Sequence, residues 1–271
     1  MARIPNVLSI AGSDPSGGAG IQADLKTFAS LGVYGCAAPT ALTAQNTVGV
    51  SSVFAVPAGV LRAQLDAVFE DVNIDAVKIG MLGSREAVQT TADVLRRAKP
   101  PVVVIDPVLR ASTGARLMDD DALDALRHDL LPLATVITPN TYEAGVLLGI
   151  PEPLTLDAAR FTASALAKRG DHAVLVTGGH LDDPEYAVDL LHDAATLHEL
   201  RVVRVASPTT HGTGCTLSSA IAALLALGST LRDACASGQQ FVAGAIARGA
   251  ELTVGRGTGP VNQLGGRLEE R

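Results

Sequence analysis

Thr210-His-Gly-Thr-Gly-Cys-Thr216 sets two glycines and a thiol just before an apolar run, Leu217 to Leu227, that reads as a buried helix. Glycine lets a backbone turn tightly and approach a ligand closely. The free N–H groups of a first helical turn, backed by the positive end of the helix dipole, then cradle a phosphate or an oxyanion. Cys215 falls in the first turn, where a thiol is expected to ionise more readily and act as a base. An anion cradle with a base inside it points to phosphoryl transfer. His211 adjoins the loop and reads as a supporting residue. Taken alone, the motif also fits a structural glycine turn with an inert cysteine.

Other polar groups fall where strand patterns end. Asn140-Thr-Tyr-Glu143 opens a helix. Its carboxylate could hold Mg²⁺, or could simply complete a capping box with Asn140. Asp106, before Pro107, carries the same ambiguity. Gln45-Asn46 puts a carboxamide among small apolar residues, where its paired donor and acceptor suit the edge of a nitrogen heterocycle. A turn-stabilising Asn with a solvated Gln fits the same residues. Lys78, inside an apolar strand, either snorkels to the surface or pairs with an acid. No role is assigned to it. His180, His192 and His198 read as solvated. Gly18-Ala-Gly-Ile-Gln-Ala23 matches a dinucleotide fingerprint, but residues 35–46 lack the acid that would hold a ribose. A Walker loop is absent.

These positions need a scaffold, and the chain supplies one. Apolar runs at Val7–Ala11, Val33–Thr40, Ala76–Ile79, Val102–Ile105, Thr135–Thr138 and Ala173–Val176 read as strands. Helical spacing appears at Ile21–Leu31, Ser84–Ala98, Asp120–Leu131, Thr141–Leu148, Leu156–Arg169, Gly214–Leu227 and Leu231–Ala250. Ala187–Leu191 and Thr196–Val205 suggest a hairpin. Such alternation predicts an α/β fold, a mostly parallel sheet with helices on both faces, in one domain spanning 1–271. Ligands of such sheets bind beyond the carboxyl ends of the strands. The 47% hydrophobic content supports a large core, and the 3% aromatic content means Ala, Val, Leu and Ile must build it. A net charge of −7 argues against nucleic acid or an anionic membrane as partner. Three cysteines without metal or disulfide spacing, and no signal-peptide pattern, fit a reducing cytoplasm. The Arg267–Arg271 tail reads as frayed.

Together these motifs resemble the hydroxymethylpyrimidine kinase/phosphomethylpyrimidine kinase family of thiamine biosynthesis, in the ribokinase-like superfamily. The resemblance runs through Ala11–Lys26, Thr43–Thr47, Lys78–Leu82, Asp106–Val108, Thr138–Glu143, Gly178–Leu181, Thr210–Thr216 and Gly255–Val261. It implies a three-layer ribokinase-like sandwich that phosphorylates an aminopyrimidine alcohol with ATP and Mg²⁺, then phosphorylates the product again. By the same resemblance Gln45 binds the pyrimidine, with Gly12, Ala19 and Met81 around the ring. Gly212 and Gly214 form the anion hole and Cys215 is the base. Asp106 and Glu143 serve Mg²⁺, while Thr213, Thr177, Arg110 and Asn140 face ATP and its phosphates. A homodimer is implied as well. Two basic positions of the family are replaced here, by Thr177 and within Leu109-Arg-Ala-Ser-Thr-Gly114; Arg110 is the candidate substitute. Asn262-Gln263 stands where some relatives carry two histidines. A pyridoxal kinase of the same superfamily and a non-catalytic pyrimidine-binding protein are the competing readings.

Overall fold

The apolar strand residues alternate between two faces, and this alternation builds the molecule. A computed structural model describes residues 3–110, 114, 116–179, 181–193 and 196–264. His180, Ser112 and the Arg267–Arg271 tail, read above from sequence, lie outside the described residues. The strands are β1 (Asn6–Ser13), β2 (Tyr34–Gln45), β3 (Val50–Ala55), β4 (Ala76–Ile79), β5 (Val103–Ile105), β6 (Val136–Ile137), β7 (Ala173–Val176), β8 (Tyr186–Asp193) and β9 (Thr196–Val203). They form one sheet in the order β3-β2-β1-β4-β5-β6-β7-β8-β9. The run from β2 to β7 is parallel, and β3, β8 and β9 pair antiparallel at the edges.

Helices cover both faces. They are α1 (Gly20–Ser30), α2 (Ala58–Asp71), α3 (Arg85–Ala98), α4 (Asp120–Ala125), α5 (Thr141–Leu148), α6 (Leu156–Ala167), α7 (Thr213–Ala226) and α8 (Leu231–Gly249). Leu8, Ile10, Val77, Ile79, Val103, Ile105, Ile137 and Val174 pack with residues of α2 to α6. Val7, Ala76, Val104, Val136 and Leu175 point the other way and pack with α1, α7 and α8. Strands buried on both faces in this way are the expected property of a parallel sheet covered by helices.

The predicted elements are present, with three differences. β2 continues to Gln45 instead of stopping at Thr40, and it turns back into β3, which the sequence did not reveal. The residues of β3 are half-buried or exposed, so no core-facing period marks the strand. α2 was also unforeseen; it fully buries only Leu61 and Leu65, which leaves a thin apolar stripe. The helix expected over Asp120–Leu131 is α4 followed by a wider turn at Leu126–Leu130 and a tight one at Leu131–Leu133. Pro132 lacks an N–H and cannot continue an α-helix.

Candidate active site

Two loops separated by most of the chain are joined at the carboxyl end of β1. The loop after β1 brings Asp14, whose Oδ2 lies 2.9 Å from His211 Nε2. The same carboxylate accepts N–H from Ser16 and Ala19, each at 2.9 Å, and the Ser16 hydroxyl at 2.7 Å. Burial works against its charge, but the His211 and Ser16 bonds outweigh burial and hold the Asp14 pKa below its usual value. His211 is itself buried. Its expected supporting role therefore has a geometry: it pins the α7 loop to the β1 loop. Gly212 follows with φ +88, and a Cβ there would overlap the Gly18 carbonyl oxygen. Only glycine fits this crossing. Gly18 thus serves loop-on-loop packing, and Gly20 a tight return of the β1 loop onto Gly12, in agreement with setting the dinucleotide reading aside.

Gly212 caps α7, Thr213 and Gly214 form its first turn, and Cys215 follows. A network of buried polar groups lies beneath Cys215. Lys78 Nζ is fully buried on β4 and donates to Asp24 of α1, at 2.8 Å to Oδ1 and 3.0 Å to Oδ2. Ser9 and Ser219 hydroxyls donate to the same carboxylate at 2.5 and 2.7 Å. Of the two sequence expectations for Lys78, pairing with an acid is correct and snorkelling is not. Burial opposes the ammonium charge, yet Asp24, with Cys215 and Asp106 nearby, keeps the lysine pKa above its usual value.

This surrounding corrects the expected behaviour of Cys215. Its thiol was expected to ionise easily. Instead burial pushes its pKa up to about 12, and the Asp24 and Asp106 charges add to the rise. Lys78 and the Gly20 N–H act in the opposite direction and are outweighed. Cys36 and Cys235 are also free thiols, and no disulfide forms.

Asp106 ends β5 beneath α7, where Ser218 donates to its Oδ2 at 3.2 Å. Glu143 is buried in the first turn of α5. The capping box is present: Asn140 Oδ1 accepts the Glu143 N–H at 2.9 Å, and Glu143 Oε2 accepts the Asn140 N–H at 2.9 Å. Glu143 Oε1 takes a longer bond, 3.3 Å, from the Leu109 N–H. Burial raises the Glu143 pKa to about 8, and the nearby Asp106 charge contributes. Burial likewise raises Asp106, to about 6, although Lys78 and Ser218 lower it. Two buried carboxylates that repel each other suit a hard dication, and Mg²⁺ commonly takes one or two carboxylates with water and phosphate oxygens. Among the described residues no cluster of three His, Cys, Asp or Glu forms a fuller cage. Both Glu143 oxygens are already engaged by backbone donors, so Asp106 is the freer ligand.

Asn140 and Thr177 meet in a bridge between the ends of β6 and β7. Arg110, exposed, lays its guanidinium 4.0 Å from the centre of the Tyr142 ring, beside Glu143. The β5 to β7 end therefore gathers Asp106, Arg110, Asn140, Glu143 and Thr177.

The β1 to β3 end holds a cavity of about 530 Å³. Gln45, Asn46, Thr47, His211, Arg256 and Thr258 are among its lining residues. Gln45 ends β2, and its Oε1 accepts the Thr43 hydroxyl at 3.2 Å. Asn46 is the turn-stabiliser of the plainer reading, since its side chain accepts N–H from Val48 at 2.9 Å and Gly49 at 3.2 Å. Gly12 and Met81 are neighbours, because a Cβ on Gly12 would come 2.9 Å from the Met81 methyl. Ala19 caps α1. Gly12, Ala19 and Met81 do not line the cavity itself. Sequence reasoning missed Asp14, Asp24 and Arg256. The first two sat inside a motif read for its glycines, and Arg256 inside a segment read as a tail.

A profile of the family described as phosphomethylpyrimidine kinase matches residues 14–262. A hydroxymethylpyrimidine/phosphomethylpyrimidine kinase of Rhizobium meliloti is 50% identical over 259 residues, covering 95% of this chain and 96% of that protein. Among solved structures, a Staphylococcus aureus pyridoxal kinase in complex with ADP superposes with a TM-score of 0.90 at 34% identity, over 98% of this chain and 96% of that one. A Clostridium difficile phosphomethylpyrimidine kinase superposes with a TM-score of 0.77 at 39% identity, over 88% of this chain and 97% of that one. Sequence motifs, sheet order and relatives agree: this chain belongs to the phosphomethylpyrimidine kinase family, with a ribokinase-like fold.

Proposed function

We propose that this chain, acting as one kinase domain, transfers the γ-phosphoryl group of ATP to the hydroxymethyl group of an aminopyrimidine. It then transfers a second one to the phosphate of that product. One observation carries the reading: Asp14–His211 fastens the anion loop of α7 to the β1 loop, and His211 also lines the cavity that Gln45 enters. Through His211 the anion cradle and the heterocycle pocket are neighbours. Gln45 reads the ring, and Cys215 takes the hydroxyl proton. Gly212, Thr213 and Gly214 receive the transferring phosphate. Asp106, with Glu143, would hold Mg²⁺, which supplies charge neutralisation between the phosphates. Thr177, Asn140 and Arg110 face the donor, with Arg110 replacing the cation that Thr177 lacks.

The direct test is turnover of the aminopyrimidine alcohol and of pyridoxal, each with ATP, with Mg²⁺ and with chelator. Faster turnover of pyridoxal would reassign the substrate, a reading that the Staphylococcus aureus relative favours. Activity surviving chelation would remove the metal. Gln45→Met should weaken aminopyrimidine binding by about 1–3 kcal/mol, the cost of buried polar groups left unpaired. Calorimetry reads this directly, and unchanged affinity would take Gln45 out of recognition.

A homodimer is proposed through the β2–β3 ribbon. Leu42 and Phe54 face each other across it and are 53% and 64% exposed, with Val48 and Val53 also exposed. Apolar side chains exposed on a ribbon at the sheet edge call for a partner. Phe54→Glu should convert the dimer to a monomer by light scattering, with an unchanged circular dichroism spectrum. A monomeric parent protein would end this proposal. Among the described residues no helix is long and apolar enough to cross a membrane. With three free thiols, the cytoplasm is the proposed compartment.

A further inference from the structure

The acceptor cavity contains a cation that the first phosphorylation does not require. Arg256 lines it together with Gln45 and His211. No hydrogen bond or ion pair holds its side chain among the described residues. Among the described residues no carboxylate lines the cavity either. Among the described residues, three other cations near the site are committed. Lys78 is locked on Asp24, Lys26 donates to the Gly17 carbonyl at 2.7 Å, and Arg110 rests on Tyr142 at the donor end. The segment carrying Arg256 is fixed in place rather than loose. Gly257 N–H donates to Thr47 Oγ1 at 3.2 Å, and His211 pairs with Pro260.

A neutral aminopyrimidine alcohol gains little from a free guanidinium. A phosphate monoester gains much, because guanidinium binds phosphate bidentately. We propose that Arg256 and the adjoining wall of the cavity form a subsite for the phosphate of a heteroaromatic phosphate monoester, the acceptor of the second transfer. This rests on the two-step reading above. In that transfer an oxygen of the acceptor phosphate bonds to the γ-phosphorus of ATP. The bond from that phosphorus to the β–γ bridging oxygen breaks, and its electron pair leaves with ADP. The acceptor is mostly a dianion at neutral pH, since its second pKa is about 6, and no proton has to be removed. What the step needs is relief of repulsion between two anions, and Arg256 supplies positive charge on the acceptor side.

The test compares two acceptors in Arg256→Met and Arg256→Lys, with aminopyrimidine alcohol and its monophosphate measured separately. The expected result in Arg256→Met is a fall of about 10- to 100-fold in the ratio of kcat/KM for monophosphate to that for alcohol, the worth of one charge-assisted contact. Arg256→Lys keeps the charge without the fork and should recover part of the ratio. Calorimetric binding of both acceptors to each protein gives a readout without turnover. An unchanged ratio and unchanged monophosphate affinity overturn the subsite, even if the parent enzyme carries out both steps. If the parent phosphorylates neither acceptor while Arg256→Met selectively loses monophosphate binding, the subsite stands and the kinase reading fails. Equal losses on both acceptors, or a lowered melting temperature in both variants, assign Arg256 to structure and also overturn the proposal.

Discussion

Cys215→Ala should lower turnover of the hydroxymethyl acceptor by about 10²- to 10⁴-fold, the usual worth of a positioned general base. The phosphate acceptor should suffer far less, because its dianion brings no proton to remove. One substitution thus separates the two steps. The pH dependence adds a second signature. Burial pushes the thiol up to about 12, so the thiolate fraction grows with pH throughout the neutral and mildly alkaline range. Alcohol phosphorylation should rise steadily in that range. Asp106 and Glu143, raised to about 6 and about 8, titrate alike for both acceptors, so the distinguishing sign is that the alcohol rate climbs relative to the monophosphate rate above pH about 7, once the second ionisation of the phosphate, near 6, is complete. Steady-state kinetics from pH 6 to 9 with each acceptor checks both. Near-parental alcohol turnover in Cys215→Ala, or a flat alcohol profile in the parent, would assign the thiol to packing.

The second large effect concerns the buried pair below that thiol. Lys78 and Asp24 are both fully buried, and Asp24 also accepts the Ser9 and Ser219 hydroxyls. Asp24→Ala leaves an ammonium in the interior without its partner. Loss of one member of a buried pair costs about 3–5 kcal/mol, and urea unfolding should show a loss of that size. Replacing both residues, as Asp24→Leu with Lys78→Met, removes the orphaned charge and should recover most of it. The recovered protein should still be a poor enzyme, since Lys78 is the cation that tempers both Cys215 and Asp106. A cost under about 1 kcal/mol for Asp24→Ala would mean the pair is hydrated in solution. Full activity in the double variant would limit the pair to stability.

Much of the scaffold is legible because each central strand buries both faces. Ala173–Val176 and Thr141–Leu148 fall within the same bounds in sequence and structure. The β2–β3 ribbon is not legible, since a ribbon that leaves the core carries no core-facing period. The anion loop is readable because glycine spacing before an apolar helix has a narrow physical meaning. The capping box at Asn140–Glu143 is equally readable, and both of its meanings survive in the structure. The thiol pKa is not readable. It depends on burial and on Lys78, Asp24 and Asp106, which are far apart in sequence, and only their packing decides which influence wins. Asp14 escapes for a related reason: its partner His211 is distant in sequence.

That distance has a consequence for synthesis of the chain. Asp14 meets His211 across 197 residues, and Asp24 meets Ser219 across 195. A ribosome adding about 5–20 residues each second emits the first loop roughly 10–40 s before its counterpart. During that interval the nascent N-terminal half can pair Asp24 with Ser9 and Lys78 but not with Ser219, and the crossing point of Gly18 lacks His211 and Gly212. The site is therefore assembled last, and a truncated or stalled product cannot bind nucleotide in a half-built cradle. Binding competence in this fold doubles as a report that translation has run past α7.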